Sequence, residues 1–108
     1  MRIAISSTGP EETSPVDSRF GRAPWLFVFD TESGETTTID NTENAQGRSG
    51  VGVTTAQRVV DAGANVVLTG RLGPNAERVL STAGIQMVVG AEGSVREALA
   101  AFRERNAQ

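Results

Sequence analysis

All ten basic residues of the chain are arginines; lysine, cysteine, histidine and tyrosine do not occur. A guanidinium keeps its charge in every environment and offers a planar fork of donors that matches carboxylates, phosphates and other oxyanions. Without thiol or imidazole there is no thiolate nucleophile, no disulfide and no soft metal ligand, and acid-base chemistry falls to carboxylates alone. A GC-rich coding sequence explains arginine in place of lysine more readily than function does. What singles some arginines out is their setting among glycines.

Three segments share that setting. In Val16-Asp17-Ser18-Arg19-Phe20-Gly21-Arg22-Ala23, two arginines flank an aromatic residue and a glycine. A loop pinned by Phe20, with Arg19 and Arg22 paired to Asp17, Glu11 or Glu12, is the plain alternative, and it stabilises little. Gly47-Arg48-Ser49-Gly50-Val51-Gly52 leads into an apolar helical pattern, so exposed N–H groups and the positive end of a helix dipole can meet an anion beside Arg48. Gly50 and Gly52 serve close helix-to-sheet packing equally well. The glycine order is not a dinucleotide fingerprint, and no Lys-Ser or Lys-Thr marks a phosphate loop. Thr69-Gly70-Arg71-Leu72-Gly73-Pro74 joins a strand to the next helix and again places an arginine among glycines; an ordinary connection with a solvated Arg71 reads the same way. Gly90-Ala91-Glu92-Gly93 is a further glycine loop.

The elements that must position these loops follow from periodicity. Arg2 to Ser6 alternates as a strand, and Ser7 to Pro24 is a long loop, a length that in compact domains marks function or disorder. Trp25 to Asp30 and Thr36 to Asp40, joined through Glu32-Ser33-Gly34, form a hairpin. Thereafter three amphipathic helices are predicted: one with Val53, Ala56 and Val60 on a face, one with Ala76, Val79, Leu80 and Ala83, and one with Val95, Ala98, Leu99 and Phe102. The apolar runs Asn65–Thr69 and Ile85–Val89 between them suit parallel strands covered on both faces. Gly63 and Gly84 fit left-handed caps, Pro74 fits a first helical turn, and Ser94 with Glu97 makes a capping box. The expected result is an α/β fold: one mixed sheet of five strands with three helices, and a frayed end over 105–108. Right-handed crossovers bring the loops after Thr69 and Val89 to one sheet edge, where open α/β sheets bind ligands.

At 108 residues the chain is expected to be a single domain, 1–108. The short apolar start Met1 to Ser6 is no signal peptide or membrane span, so a cytoplasmic protein without membrane attachment is expected. A net charge of -3 argues against nucleic acid as a partner.

The Arg-Phe-Gly-Arg-Ala element, Asn41 and Asn44 ahead of Gly47 to Gly52, Ala56, and the Thr-Gly-Arg-Leu-Gly-Pro-Asn-Ala turn together resemble the dinitrogenase iron-molybdenum cofactor biosynthesis family over nearly the whole chain. The resemblance implies a ribonuclease-H-like sheet of order 3-2-1-4-5 with strand 2 antiparallel. It also implies a protein that carries or protects metal-cluster precursors of iron-molybdenum or iron-sulfur type. The lack of Cys and His departs from members that ligate a cluster directly. A negatively charged cluster would instead be held without covalent ligation. The residues expected to hold it are Arg19, Phe20, Gly21, Arg22, Asn41, Gly47, Arg48, Gly50, Gly52, Gly70, Arg71 and Gly73. The expectation is therefore a non-catalytic carrier or accessory protein, monomer or homodimer, for an anionic metallocofactor or related small anion, with a protein recipient of the cluster. Two alternatives stand beside it. One is a metal-dependent phosphoester hydrolase using Asp17, Asp30 and Asp40, although the first strand lacks an acid. The other is an interaction module using the Trp25, Phe27 and Phe29 hairpin.

Overall fold

Alternation along the strands sorts the apolar side chains onto two sheet faces, and each face is closed by helices. The computed structural model describes residues 1–106. Its elements are β1 (Arg2–Ser7), β2 (Trp25–Asp30), β3 (Thr36–Asp40), α1 (Thr42–Ala45), α2 (Val51–Asp61), β4 (Val66–Leu68), α3 (Pro74–Thr82), β5 (Gln86–Val88) and α4 (Val95–Asn106). The strands form one sheet in the order β3-β2-β1-β4-β5. β2 runs antiparallel to both β1 and β3, whereas β1, β4 and β5 are parallel. This is the order that the family resemblance implies.

Ala4, Leu26, Val28 and Val67 meet Ala56 and Val59 of α2 and Ala76 and Leu80 of α3 on one face. Ile3, Ile5, Phe27, Val66 and Leu68 meet Val95, Ala98 and Phe102 of α4 on the other. Near the edge of that second face Trp25 and Phe29 are half-buried, and the Arg103 guanidinium lies 5.1 Å from the Phe29 ring centroid. Each helix that precedes a parallel strand runs antiparallel to it. The N-termini of α2 and α3 therefore reach the sheet edge at which β1, β4 and β5 end, and this crossover geometry builds the site.

The punctuation works locally. Gly63 and Gly84 take φ of 75° and 74° just past α2 and α3, and Pro74 occupies the first turn of α3. Ser94 and Glu97 exchange the two bonds of a capping box, at 2.9 and 3.1 Å.

Several expectations need correction. The three expected helices are α2, α3 and α4; among the described residues they are accompanied by α1, whose four residues are too few for apolar periodicity to reveal. Val53 is 41% exposed, and the face that α2 buries is Val51, Thr55, Ala56 and Val59. Ala83 is likewise exposed at the end of α3. The strands β4 and β5 are shorter by a residue at each end than their apolar runs. The loop from 8 to 24 is not structureless, since single bridges tie Ser7 to Val16, Pro15 to Ser94 and Arg19 to Arg71. Arg105 and Asn106 belong to α4, while the other two positions of the expected frayed end, 107 and 108, lie outside the described residues.

Candidate functional site

Where β1, β4 and β5 end, backbone hydrogen bonds stitch the loop after β1 to the loop after β4. Arg71 N–H donates to Ser18 O at 2.9 Å, and Phe20 N–H donates to Arg71 O at 3.3 Å. That contact requires Gly70, because a Cβ there would lie 2.5 Å from Ser18 Cα and 2.6 Å from Ser18 O. Phe20 is buried in the core under α2 and α3, so the arginines on either side of it stay at the surface. Gly21 lies against the start of α2, where its own Cβ would come within 3.1 Å of Gly52 Cα.

These approaches enclose an open cleft of about 390 Å³ lined by Arg19, Phe20, Gly21, Arg22, Arg48, Ser49, Gly50, Val51, Gly52, Arg71, Leu72 and Gly73. Four arginines line it and no acid does. At its back stands the N-terminus of α2, whose N-cap Gly50 has φ 69° and provides no side-chain cap; Thr54 is the first N–H to return to Gly50 O, at 3.0 Å. The uncapped first turn leaves backbone donors and the positive helix end directed at the same space as the guanidinium groups. Such a cleft can neutralise and hydrogen-bond a multiply charged anion.

Of the twelve residues expected at the site, nine line this cleft and three stand behind it. Asn41 is 1% exposed. Its Nδ2 donates to Ala23 O at 2.9 Å and to Thr55 Oγ1 at 3.0 Å. Gly47 presents its carbonyl to Arg22, and Gly70 makes the loop contact described above. Arg22 itself donates through Nη1 to Ala45 O at 3.0 Å and Gly47 O at 2.7 Å, not to a carboxylate. Arg19 Nε stands 3.9 Å from Asp17 Oδ1, a loose pair between an exposed guanidinium and a buried carboxylate, while Glu12 pairs with Arg96. Arg48 and Arg71 take part in no ion pair among the described residues. Sequence reasoning missed Ser49, Val51 and Leu72 as lining residues, and no charge or motif marks them. It also missed Thr55 as a hub: its hydroxyl lies within bonding distance of Gly21 O (3.2 Å) and Val51 O (2.9 Å) besides Asn41 and Asn44.

The donor set also bears on metals. With no Cys or His in the chain, and no group of three His, Cys, Asp or Glu among the described residues that could hold a metal ion, the site offers N–H donors and positive charge but no soft ligands. It fits a cluster handled as a whole anion and does not fit direct ligation of the metal atoms.

Strand order and helix placement define a class, the small α/β proteins of ribonuclease-H-like topology. Within it the family follows from comparison: residues 1–105 match the family described as dinitrogenase iron-molybdenum cofactor, and the chain belongs to it. The apo form of the orange protein from Desulfovibrio gigas is 36% identical with a TM-score of 0.92, over 96% of this chain and 88% of that one. A Thermotoga protein described as a candidate NifB protein of the DUF35 family is 35% identical with a TM-score of 0.85, over 95% and 87%. An uncharacterized protein of Methanocaldococcus jannaschii is 28% identical over 96% of this chain and 86% of its own length. No helix among the described residues is long and apolar enough to cross a membrane.

Proposed function

We propose that this protein is a non-catalytic carrier or accessory protein that holds an anionic metal-cluster precursor, of iron-molybdenum or iron-sulfur type, in the cleft between the Arg19–Arg22 loop, the Arg71 loop and the start of α2. One observation carries the reading: four arginines and an uncapped helix N-terminus share one acid-free cleft in a chain whose net charge is -3. Clustered guanidinium groups repel each other, and a bound anion relieves that cost. The cluster brings its own ligands, and the chain supplies hydrogen bonds and charge. Membership of a family named for the dinitrogenase cofactor supports cluster cargo over other anions. A related protein solved in an apo form is in keeping with a removable ligand. The openness of the cleft to solvent suits release to a protein recipient.

The hydrolase reading has less support. Asp30 pairs in register with Arg2 at the start of β1, whereas Asp40 pairs with Trp25 at the other end of the hairpin, so these carboxylates do not converge. Asp17 is 7% exposed and accepts the Arg19 N–H at 2.9 Å.

The test is equilibrium binding of molybdate and of an anaerobically prepared iron-sulfur cluster at several salt concentrations. Saturable binding that weakens with salt is expected. Replacing Arg19 or Arg71 by Ala should each weaken it about tenfold, the size of one lost hydrogen bond to a charged group. Binding that is indifferent to both substitutions contradicts the reading.

A further inference from the structure

Arg22 lines the cleft, yet part of its guanidinium is already engaged. Nη1 donates to both Ala45 O and Gly47 O, at 3.0 and 2.7 Å. These carbonyls lie at and just past the end of α1, where a helix leaves its last acceptors without intrahelical donors. Between Gly47 and Val51, residues Arg48, Ser49 and Gly50 are exposed, and among the described residues none of their N–H groups has a hydrogen-bond partner. The segment bearing Arg48 is thus a strap held at its ends. Asn44 fixes the far end, donating from Nδ2 to Val51 O at 3.1 Å and to Thr55 Oγ1 at 3.0 Å. Arg22 holds the near end together with the Gly47 N–H, which donates to Asn44 O at 2.9 Å.

We infer that Arg22 is a positioning residue for the anion site, one that sets the Arg48 strap against the start of α2 instead of neutralising the ligand itself. The inference rests on the carrier reading and divides its four arginines into two kinds. Among the described residues Arg48 and Arg71 have no ion pair to give up and Arg19 has only a loose one, so these three are available to an anion. Arg22 spends its best-aimed donor on two carbonyls of the chain. Those two hydrogen bonds couple the Arg19–Arg22 loop to the strap. Removal of the Arg22 side chain leaves Ala45 O and Gly47 O to water and loosens the strap at one end, where only the Gly47 N–H bond to Asn44 O remains, so Arg48 is presented over a wider range of positions and the anion must order it on binding.

The test combines hydrogen exchange on the free protein with molybdate binding at several salt concentrations, for R22A and R19A. Arg22 is exposed, so its truncation leaves the core intact. R22A should speed amide exchange over residues 45–50 and weaken molybdate binding about tenfold. The slope of log affinity against log salt should flatten less than in R19A, because the lost charge sits on carbonyls of the chain and not on the ligand. R19A should leave exchange over 45–50 unchanged and flatten the slope. Unchanged exchange in R22A, or a slope flattened as much as in R19A, overturns the positioning role while leaving the carrier reading standing. Absence of saturable molybdate and cluster binding by the unsubstituted protein overturns the carrier reading, and this inference with it.

Discussion

Arg19, Arg48 and Arg71 announce themselves because each sits among glycines in a connecting segment, a pattern that depends only on local sequence. The role of Arg22 is different. Its partners are carbonyls that exist as free acceptors only because α1 ends at Ala45, and a four-residue helix leaves no periodic trace. Asn41 stands apart from them: its place near the glycine cluster in sequence suggests a ligand, and in the fold its amide donates inside the core to Ala23 and Thr55. Gly70 carries a testable consequence at this scale. A methyl group there would meet Ser18 backbone at 2.5 Å, and backbone cannot swing aside as a flexible side chain does. Gly70→Ala is therefore expected to destabilise the fold by about 1–3 kcal/mol, read as a lower urea midpoint. An unchanged midpoint contradicts the close approach.

Among the elements, β2, β3 and the three longer helices were legible from period and punctuation, since alternation, caps and glycine stops all agreed. The residues that α2 buries were less so. Val53 fitted a helical stripe, but the helix turns its Val51–Thr55–Val59 side to the sheet, where Thr55 satisfies its hydroxyl against Val51 O and the Asn41 and Asn44 amides, which no hydropathy pattern encodes. The α4 capping box gives a pH prediction. Hydrogen bonds from the Ser94 N–H, then the contact with its side chain, hold the Glu97 carboxyl below its ordinary value of 4.5. A depressed carboxyl stabilises the fold fully above the unfolded value and loses that contribution as pH falls through the lower folded value. In Glu97→Ala the carboxylate that accepts the Ser94 N–H is gone, so its melting midpoint should lie below that of the unsubstituted protein. The gap should be widest above pH 4.5 and narrow as the solution is acidified below it. A gap that does not change with pH removes Glu97 from the cap.

At the scale of the whole molecule, the arginine-lined cleft and an acidic groove lie at opposite ends of β1. The cleft lies where β1 ends, whereas Asp30, Glu35 and Asp61 line a groove near the start of β1, with Arg2 the single cation among them. An acidic protein can in this way present a positive face, and such a field steers an anion towards the cleft at low salt and less so at high salt. The sheet order came from the family resemblance and not from periodicity. Parallel strands show which segments are covered on both faces but not which strand lies beside which. The convergence of three separate loops is a product of that order, because β1 and β4 must be neighbours for Arg19 and Arg71 to bridge.

The measurement that bears most directly on the anion cleft is amide chemical-shift mapping during a molybdate titration. Saturable shifts are expected at residues 19–22, 48–53 and 70–73, with the groove around Asp30 and Asp61 unaffected. Shifts confined to other surfaces, or none at molybdate concentrations well above those that saturate a specific site, contradict the assignment of this cleft as the place where the protein holds its anion.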